Sequence, residues 1–347
     1  MIIAADRELR PVPLQLGHAD ATAAHDPFLE GEEAHTPSER LALRRCESGV
    51  DQTGWLVRVV PNRYPAVIQA DECPVRPAEV SAREQRPPQK MPLHGFHDVV
   101  IECPDHRTQL TQLSVEEIAR VLLAWQQRVV QLQQDGRFPQ VRIFRNQGAT
   151  AGASLPHCHS QIVATALTDD TARQPLWTGR CLDGTGENPI YTAWYEEELR
   201  TAERVLRSTP QLLVVCPFAS RFAWQTRICP GPDMPARFER LSVTQLSRVA
   251  AHLRLLCLAL EQLSPNVGCN LSLILPPGDE PTAFPWMLDV LPRPGRIAGF
   301  ELMTGLNIVT VSPETAARQF RDTIDWTDTA AAASQRITPV GYEWRSE

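Results

Sequence analysis

Two stretches of the chain carry apolar residues at helical spacing. In the first, these residues follow one another at steps of four, three, four and three: Ile118, Leu122, Trp125, Val129 and Leu132. This spacing predicts an amphipathic helix with one apolar face. Ser114 precedes the run and Glu117 follows three positions later, the pattern of a capping box, so we expect the helix to begin directly after Ser114.

The second stretch repeats the first. Its apolar residues are Leu246, Val249, Leu253, Leu256, Leu260 and Leu263. The segment LSVEEIARV at Leu113 aligns with LSVTQLSRV at Leu241, an offset of 128 residues. Strand-like segments, VRIFRN and CNLSLIL, follow the two helices. We therefore predict an internal duplication of a strand, helix, strand, strand unit.

The segments between these elements are polar or rich in proline. Residues 168–189 contain Gly, Asp and Pro and predict a connector, and 72–92 predicts an exposed loop. A short helix is expected in YEEELRTAERVLR, after the connector. These boundaries divide the chain into two units, 1–175 and 190–347.

Composition narrows the class of protein. The chain has 347 residues, 43% of them hydrophobic and 22% charged, values typical of a globular protein. A net charge of −7 argues against wholesale binding to nucleic acid or to an anionic membrane. The N-terminus has no signal-peptide pattern, and the nine cysteines form no CxxC pair. We expect a cytoplasmic protein with reduced thiols.

The most informative stretch is ASLPHCHSQIVA. In a strand, residues two apart share a face, so His157, His159 and Gln161 would point the same way and Cys158 the other way. An HxH pair alone is compatible with packing, with metal binding or with nucleophilic chemistry. The preceding run RNQGATAGAS contributes small residues whose backbone N–H groups can approach an anion closely. The combination favours a phosphate-binding turn beside a nucleophile.

The same stretch resembles the active-site segment of galactose-1-phosphate uridylyltransferases, the transferase branch of the histidine-triad superfamily. That segment has the form N-x-G-x-x-x-G-x-S-x-x-H-P-H-x-Q, and the spacing here is the same. RELRP, DPFLEGEEAHTPSE, VVPNRYPAV, HDVVIECPDH and the closing LPRPGRIAGFELMTGLNIVTVSPETAARQFR resemble further elements of the family in the same order. The resemblance implies an α+β fold of two tandem histidine-triad-like units, each an antiparallel sheet with packed helices.

The resemblance also implies a two-step reaction. His159 matches the nucleophile, which would attack the α-phosphorus of a UDP-sugar, release sugar 1-phosphate and pass the nucleotide to a second sugar phosphate. His157 and Gln161 complete the expected catalytic group. Hydrolases of the superfamily have a third histidine at the position that matches Gln161. Because an amide cannot transfer a catalytic proton as an imidazole can, the resemblance favours transfer or phosphorolysis over hydrolysis. Candidate substrate-binding residues are Arg7, Arg10, Asn62, Asn146, Gly152 and Ser154.

The sequence departs from the family pattern in three places, two of which concern metal ligands. The middle proline of HPH is Cys158, which we expect to be a packed thiol rather than a catalytic one. Both cysteines of CPFC are replaced, by Asp26 and Leu29, so only His106 and His157 remain at zinc-ligand positions, with Asp26 or His25 as substitutes. Tight zinc binding is not expected, and we assign no metal ligand. In the second half, Met287 and Asp289 occupy the positions equivalent to His159 and Gln161, so the family's second-half histidine is missing and a second metal site is not expected.

Of three possible functions, we predict the first and keep the other two as alternatives. The first is uridylyl exchange between UDP-hexose and hexose 1-phosphate. The second is a nucleotide phosphorylase acting on an ADP-sugar or a diadenosine polyphosphate. The third is a degenerate homologue that binds nucleotides without turnover. The expected partners are a nucleotide sugar and a sugar phosphate, with no nucleic acid and no membrane, and the resemblance implies a homodimer.

Overall fold

The computed structural model describes residues 25–45, 47–70, 93–165, 189–276 and 284–323. Within them, eleven strands form one sheet. The strands are β1 (Leu41–Arg44), β2 (Trp55–Pro61), β3 (Ile68–Gln69), β4 (His94–Ile101), β5 (Gln140–Gln147), β6 (His159–Thr165), β7 (Val205–Ser208), β8 (Leu212–Val215), β9 (Thr226–Pro230), β10 (Gly268–Ile274) and β11 (Met287–Arg293). The helices are α1 (Val115–Asp135), α2 (Pro189–Thr201), α3 (Val243–Leu263), α4 (Gly299–Thr304) and α5 (Pro313–Thr323).

The strand order shows the duplication directly. It runs β1-β2-β4-β6-β5-β10-β11-β9-β8-β7, with the short β3 beside β4. Every pair along this path is antiparallel. β5 and β10 join the halves, and Phe144 pairs with Ser272, 128 residues further on. An approximate two-fold axis therefore passes between these two residues.

The 128-residue offset also relates the element boundaries. α1 and α3 begin at Val115 and Val243, and β6 and β11 begin at His159 and Met287. The predicted α+β class, with antiparallel strands and packed helices, is confirmed. The connector and the proline-rich loop lie mostly outside the described residues, so the division into 1–175 and 190–347 stays a prediction.

Both long helices begin where the sequence indicated. The Ser114 hydroxyl accepts from the backbone N–H of Glu117 at 3.2 Å, and the Glu117 carboxylate accepts from the N–H of Ser114 at 2.7 Å. Ser242 and Gln245 repeat this box at the start of α3. α3 is long and apolar enough to cross a bilayer by composition, but 61% of the most apolar part is buried inside the protein.

The short helix after the connector was only partly predicted. α2 covers the expected YEEELRT but starts earlier, at Pro189, and ends at Thr201. Ala202 has a φ of +54°, a left-handed conformation that stops the helix. The rest of the predicted helix includes β7, because Val205 pairs with Val215 of β8. Tertiary pairing has overridden local helical preference here.

The sheet has one face covered by helices and one that carries the candidate site. The indole N–H of Trp125 in α1 donates to the Ser160 hydroxyl at 2.8 Å, which fixes Ser160 on the helix side of β6. His159 and Gln161 alternate with Ser160 and pair with Ile101 and Val99 of β4. Their side chains therefore lie on the opposite face.

Candidate active site

A cavity of about 270 Å³ opens on the face of β6 that carries His159 and Gln161. Both polar and apolar groups line it. The lining residues are His25, Pro27, Phe28, His35, Thr36, Pro37, Val60, Pro61, Asn62, Arg63, Tyr64, Val99, Ser154, Leu155, His159 and Gln161. The sequence-predicted His159, Gln161, Asn62 and Ser154 therefore meet at one cavity.

The imidazole of His159 is held in one orientation. Its Nδ1 lies 2.8 Å from the backbone carbonyl oxygen of His157, so Nδ1 carries the proton and donates it there. The lone pair of the ring is then on Nε2. Burial lowers the pKa of His159, and the hydrogen bond to His157 offsets this only in part. A neutral imidazole with a free Nε2 lone pair is the form that can attack phosphorus.

A turn rich in small residues brings Ser154 to the cavity. Gly148 and Gly152 have φ values of +81° and +82°, a region that favours glycine. Between them Ala149–Ala151 forms a single 3-10 turn. The N–H of Ala153 closes the loop by donating to the Gly148 carbonyl at 3.2 Å. Gly152 thus shapes the loop rather than lining the cavity, and Ser154 is the residue presented there.

The amide of Gln161 is oriented by His97, a residue that the sequence did not single out. The N–H of Ala66 donates to His97 Nδ1 at 2.9 Å, so the ring proton is on Nε2. His97 Nε2 donates to Gln161 Oε1 at 2.9 Å. The oxygen of Gln161 is therefore engaged, and its NH₂ group is the end that can donate to a ligand. His97 precedes Asp98 on β4, in a motif that gave no local signal of this contact.

Asn62 lies beside this pair. Its Oδ1 accepts from the N–H of Tyr64 at 2.8 Å, which leaves Nδ2 to donate to Gln161 Oε1 at 3.5 Å. The turn that holds Asn62 is closed by its own N–H, which donates to the His97 carbonyl at 2.7 Å. Asn62 is thus part of the polar wall of the cavity.

His157 is placed behind His159 rather than in the cavity lining. Its Nδ1 lies 2.8 Å from Asp26 Oδ2 and its Nε2 lies 2.9 Å from the carbonyl oxygen of Cys103. Both nitrogens face acceptors, an arrangement suited to the doubly protonated ring. Burial alone would lower the pKa of His157, but the hydrogen bonds to Asp26 and Cys103 outweigh it and raise the pKa.

The same carboxylate holds a second imidazole. His106 Nδ1 lies 2.8 Å from Asp26 Oδ2. Burial alone would raise the pKa of Asp26, but the hydrogen bonds from His157 and His106 lower it to about 2. Asp26, His106 and His157 occupy the positions of the zinc ligands that the resemblance implies. Their ligand atoms lie within 4.8 Å of one another, but they do not complete that four-ligand site, because Leu29 supplies no ligand and Asp26 supplies a carboxylate oxygen in place of a thiolate.

Cys158 points away from the cavity, as expected from strand alternation. It is fully buried, and the Nη2 of Arg145 donates to its sulfur at 3.2 Å. Arg145 also donates from Nε to the buried Glu102 carboxylate at 2.9 Å. Hydrogen bonding from Cys103 and the charge of Arg145 lower the pKa of Cys158. Cys158 is therefore a packed group that faces an ion pair, outside the cavity.

Of the predicted substrate-binding residues that the structure describes, Asn146 and Gly152 are not in the cavity lining. Asn146 lies on β5 and its Oδ1 accepts from Asn270 Nδ2 at 2.8 Å, across the pseudo-two-fold axis. Arg7 and Arg10 lie outside the described residues. The described lining residues include one guanidinium, that of Arg63.

In the second half, packed side chains occupy the place that corresponds to the cavity in front of His159. Met287 is buried in an apolar cluster with Leu213, Val215, Cys229 and Phe284, and aromatic residues of α2 pack against it. Asp289 forms a two-pronged ion pair with Arg227, with N–O distances of 2.6 and 2.7 Å. The second copy has thus exchanged a potential site for packing and a buried salt bridge.

Comparison with known proteins agrees with this geometry. The family model for the N-terminal domain of galactose-1-phosphate uridyl transferase matches residues 52–168. The chain is 28% identical to ADP-glucose phosphorylase of Arabidopsis thaliana over 279 residues, 77% of this chain and 74% of that one. It is 26% identical to galactose-1-phosphate uridylyltransferase of Thermotoga maritima over 282 residues, 76% and 83% of the two chains.

Solved structures show the same relationship. The crystal structure of an ADP-glucose phosphorylase from Arabidopsis thaliana with bound ADP-glucose superposes with a TM-score of 0.69 at 25% identity, covering 88% of this chain and 92% of that one. A uridylyltransferase mutant at 21% identity shares the fold, with a TM-score of 0.63 and coverage of 86% and 92%. Over residues 52–168 the chain matches the N-terminal domain of galactose-1-phosphate uridyl transferase, and over about three quarters of its length it is similar to proteins of that family and to ADP-glucose phosphorylase.

Proposed function

We propose that this protein transfers a nucleoside monophosphate from a nucleotide sugar to a phosphate-bearing acceptor through a covalent intermediate on His159. The observation that supports this most is the fixed imidazole of His159, with Nδ1 donating to a backbone carbonyl and Nε2 left as the nucleophile at a cavity. The similarity to uridylyltransferases and to ADP-glucose phosphorylase supplies the reaction class.

The reaction has two balanced steps. Nε2 of His159 forms a bond to the α-phosphorus of the donor while the bond from that phosphorus to the bridging oxygen breaks, and sugar 1-phosphate leaves. An oxygen of the acceptor phosphate then attacks the same phosphorus, the P–N bond breaks, and His159 is regenerated. Donors aimed at the phosphoryl oxygens lower both barriers.

Two groups of the cavity can supply those donors. The amide NH₂ of Gln161 is the free end of a side chain whose oxygen is engaged by His97. Ser154 follows the turn of Gly148 and Gly152 and lines the cavity. An amide cannot relay a proton as a third histidine would, so this arrangement favours phosphate acceptors over water.

Two donor classes are compatible with this chemistry. A UDP-hexose with hexose 1-phosphate as acceptor is the reaction indicated by the active-site motif. An ADP-sugar with inorganic phosphate as acceptor is the second candidate, supported by the similarity to ADP-glucose phosphorylase over 77% of the chain. The two differ in the base pocket and the acceptor, while the role of His159 is the same.

The test is to trap the intermediate. Purified protein is incubated with UDP-glucose or ADP-glucose labelled at the α-phosphate, and the acid-labile adduct is mapped by mass spectrometry. We expect UMP or AMP on His159, and the donor that labels the protein identifies the reaction. In His159→Ala the adduct should be absent and turnover should fall by at least about 10³-fold.

Cys158→Ala is the matched control, because the thiol is the neighbouring nucleophile. It should retain the adduct, whereas loss of labelling in Cys158→Ala with retention in His159→Ala would overturn the proposal. Absence of an adduct from either donor would favour the third hypothesis, a homologue that binds nucleotides without turnover.

A further inference from the structure

A second group of potential ligands lies at the exposed edge of the cavity. His35 Nδ1 is 2.8 Å from Glu32 Oε2, and His25 Nε2 is 3.4 Å from the same oxygen. The two imidazole rings meet edge to face, with centroids 4.4 Å apart. Three potential ligand atoms thus converge within 4.8 Å of one another.

The backbone presents these side chains together. Gly31 has a φ of +98° and turns the chain after Phe28 enters the core. Glu32 then caps the 3-10 turn Glu33–His35, and the N–H of His35 donates to the Glu32 carbonyl at 2.9 Å. The two side chains therefore leave one short turn in the same direction. His25 lies seven residues before Glu32, and its imidazole approaches both Glu32 and His35.

The chemistry of the group fits a divalent transition metal. Imidazole nitrogen and carboxylate oxygen are the ligands of Zn²⁺ sites that keep a coordination position open. With metal–ligand bonds of about 2.0–2.2 Å, tetrahedral ligand atoms lie roughly 3.3 Å apart. The distances from Glu32 Oε2 to the two nitrogens, 2.8 and 3.4 Å, bracket that value.

The neighbouring group of Asp26, His106 and His157 is a poorer candidate. The side chains of His157 and Asp26 are 0% and 11% exposed, so a metal there would have to enter a buried, hydrogen-bonded group. The side chains of His25 and His35 are 54% and 56% exposed. They can exchange solvent for a metal at little cost in desolvation.

The position of the group suggests a use for the metal. His25 and His35 both line the cavity that contains His159 and Ser154. We propose that His25, Glu32 and His35 bind one divalent transition-metal ion at the mouth of this cavity, with open coordination positions for a phosphate oxygen of the ligand. The phosphate contact rests on the proposed function, whereas metal binding by the three side chains does not.

The first measurement is metal binding. The purified protein is assayed for metal content, treated with chelator, and titrated with Zn²⁺ by calorimetry and with Co²⁺ by visible absorption. We expect one equivalent bound through nitrogen and oxygen. His35→Asn and Glu32→Gln should weaken binding by more than tenfold, since even an outer-shell partner of a metal is worth about 10–100-fold. His106→Asn is the matched control and should bind as the parent protein does.

Several results would overturn the site. They are an absence of saturable binding, unchanged affinity in both His35→Asn and Glu32→Gln, loss of binding in His106→Asn, or a thiolate charge-transfer band with Co²⁺. The last two would place the metal on the Asp26 group or on cysteines.

The second measurement tests whether the bound metal contacts phosphate, independently of whether the metal binds. Inorganic phosphate is titrated with and without Zn²⁺ into the parent protein and His35→Asn. We expect Zn²⁺ to tighten phosphate binding at least about tenfold in the parent and not in the variant, a coupling within the usual range. Equal affinities in the presence of bound Zn²⁺ would overturn the phosphate contact and leave the metal site standing. Failure of the His159 mechanism would show instead as a missing adduct.

Discussion

His157 and His159 lie two positions apart and have opposite protonation preferences. His157 has an acceptor at each nitrogen, which raises its pKa. His159 has an acceptor at Nδ1 alone and a cavity at Nε2, and burial lowers its pKa. A positive charge on His157 also disfavours a second one on His159. The arrangement of these two rings thus favours a neutral His159, the form that the proposed mechanism requires.

A residue-scale prediction concerns His97. Substituting His97→Phe removes the N–H that holds Gln161 Oε1, so the amide can rotate and its NH₂ group is no longer directed at the phosphoryl oxygens. Misplacement of a catalytic group by about 1 Å can lower the rate by 10²-fold, and we expect adduct formation on His159 to slow by about 10- to 100-fold. Single-turnover labelling with the active donor measures this rate.

His94→Gln is the control for that experiment. His94 lies on the same strand, β4, and is not among the residues lining the cavity. The rate at which His94→Gln is labelled should stay within about twofold of the parent rate. The thermal stability of His97→Phe and His94→Gln is measured alongside, so that a loss of rate can be separated from a loss of folding. Equal rates in His97→Phe and the parent would show that Gln161 is oriented by other contacts, such as that with Asn62.

The sequence revealed the residues of the motif but not their partners. His159, Gln161 and Ser154 could be singled out because strand alternation and a small-residue turn are local patterns. Asp26 lies 131 positions from His157 and His97 lies 64 positions from Gln161, and local periodicity carries no information on such pairs. The role of Asp26 as an acceptor for two imidazoles therefore required the structure.

At the scale of elements, local signals were reliable where no distant strand competed. The capping boxes at Ser114 and Ser242 placed the starts of α1 and α3 correctly, because a cap depends on residues three positions apart. The predicted helix near 195–207 failed in its second half. Val205 and Leu206 pack and pair as a strand next to β8, a contact that the local pattern did not contain.

An element-scale prediction concerns His252 in α3. Its Nδ1 donates to the Arg248 carbonyl at 2.8 Å, while its buried Nε2 has no hydrogen-bond partner among the described residues. Burial and the charges of Arg207 and Arg248 lower its pKa. The unfolded chain therefore binds a proton at a higher pH than the folded one, so His252 destabilises the protein as the pH falls below about 6.5.

Urea unfolding of the parent and His252→Gln between pH 5 and 8 measures this effect. The difference in the free energy of unfolding should shift in favour of the variant on acidification, with a slope that approaches about 1.4 kcal/mol per pH unit. The other histidines titrate in both proteins and cancel in the difference. A difference that does not change with pH would show that the proton affinity of His252 is the same in the folded and unfolded states.

At the scale of the whole molecule, one sheet serves two different halves. The pairing of β5 with β10 makes the sheet continuous, and α1 and α3 pack on one face of it as related elements. On the other face, the first half leaves a cavity in front of His159, while the second half is covered by Tyr191, Trp194 and Tyr195 of α2. The two copies therefore share their architecture but differ on this face, where the first has a cavity and the second is packed.

The segment 297–308 carries an exposed group of apolar side chains, which we expect to form a dimer interface. Six of its apolar side chains are 46–80% exposed: Ile297, Phe300, Leu302, Met303, Leu306 and Ile308. α4 lies within it and has no buried residue. Contiguous apolar patches of this kind mark association sites. Since the resemblance implies a homodimer, we expect a second copy of the chain to cover this segment.

Light scattering of the purified protein should therefore give the mass of a dimer, and Leu302→Glu with Met303→Glu should shift it to the monomer. Two charges placed in a buried apolar contact each cost several kcal/mol unless paired, enough to dissociate an interface of ordinary affinity. Val243→Glu is the control, because Val243 is an isolated exposed residue at the start of α3 and is 42% exposed. That variant should remain dimeric. A parent protein that is monomeric at micromolar concentration, or a double variant that stays dimeric, would contradict the assignment of this segment to the interface.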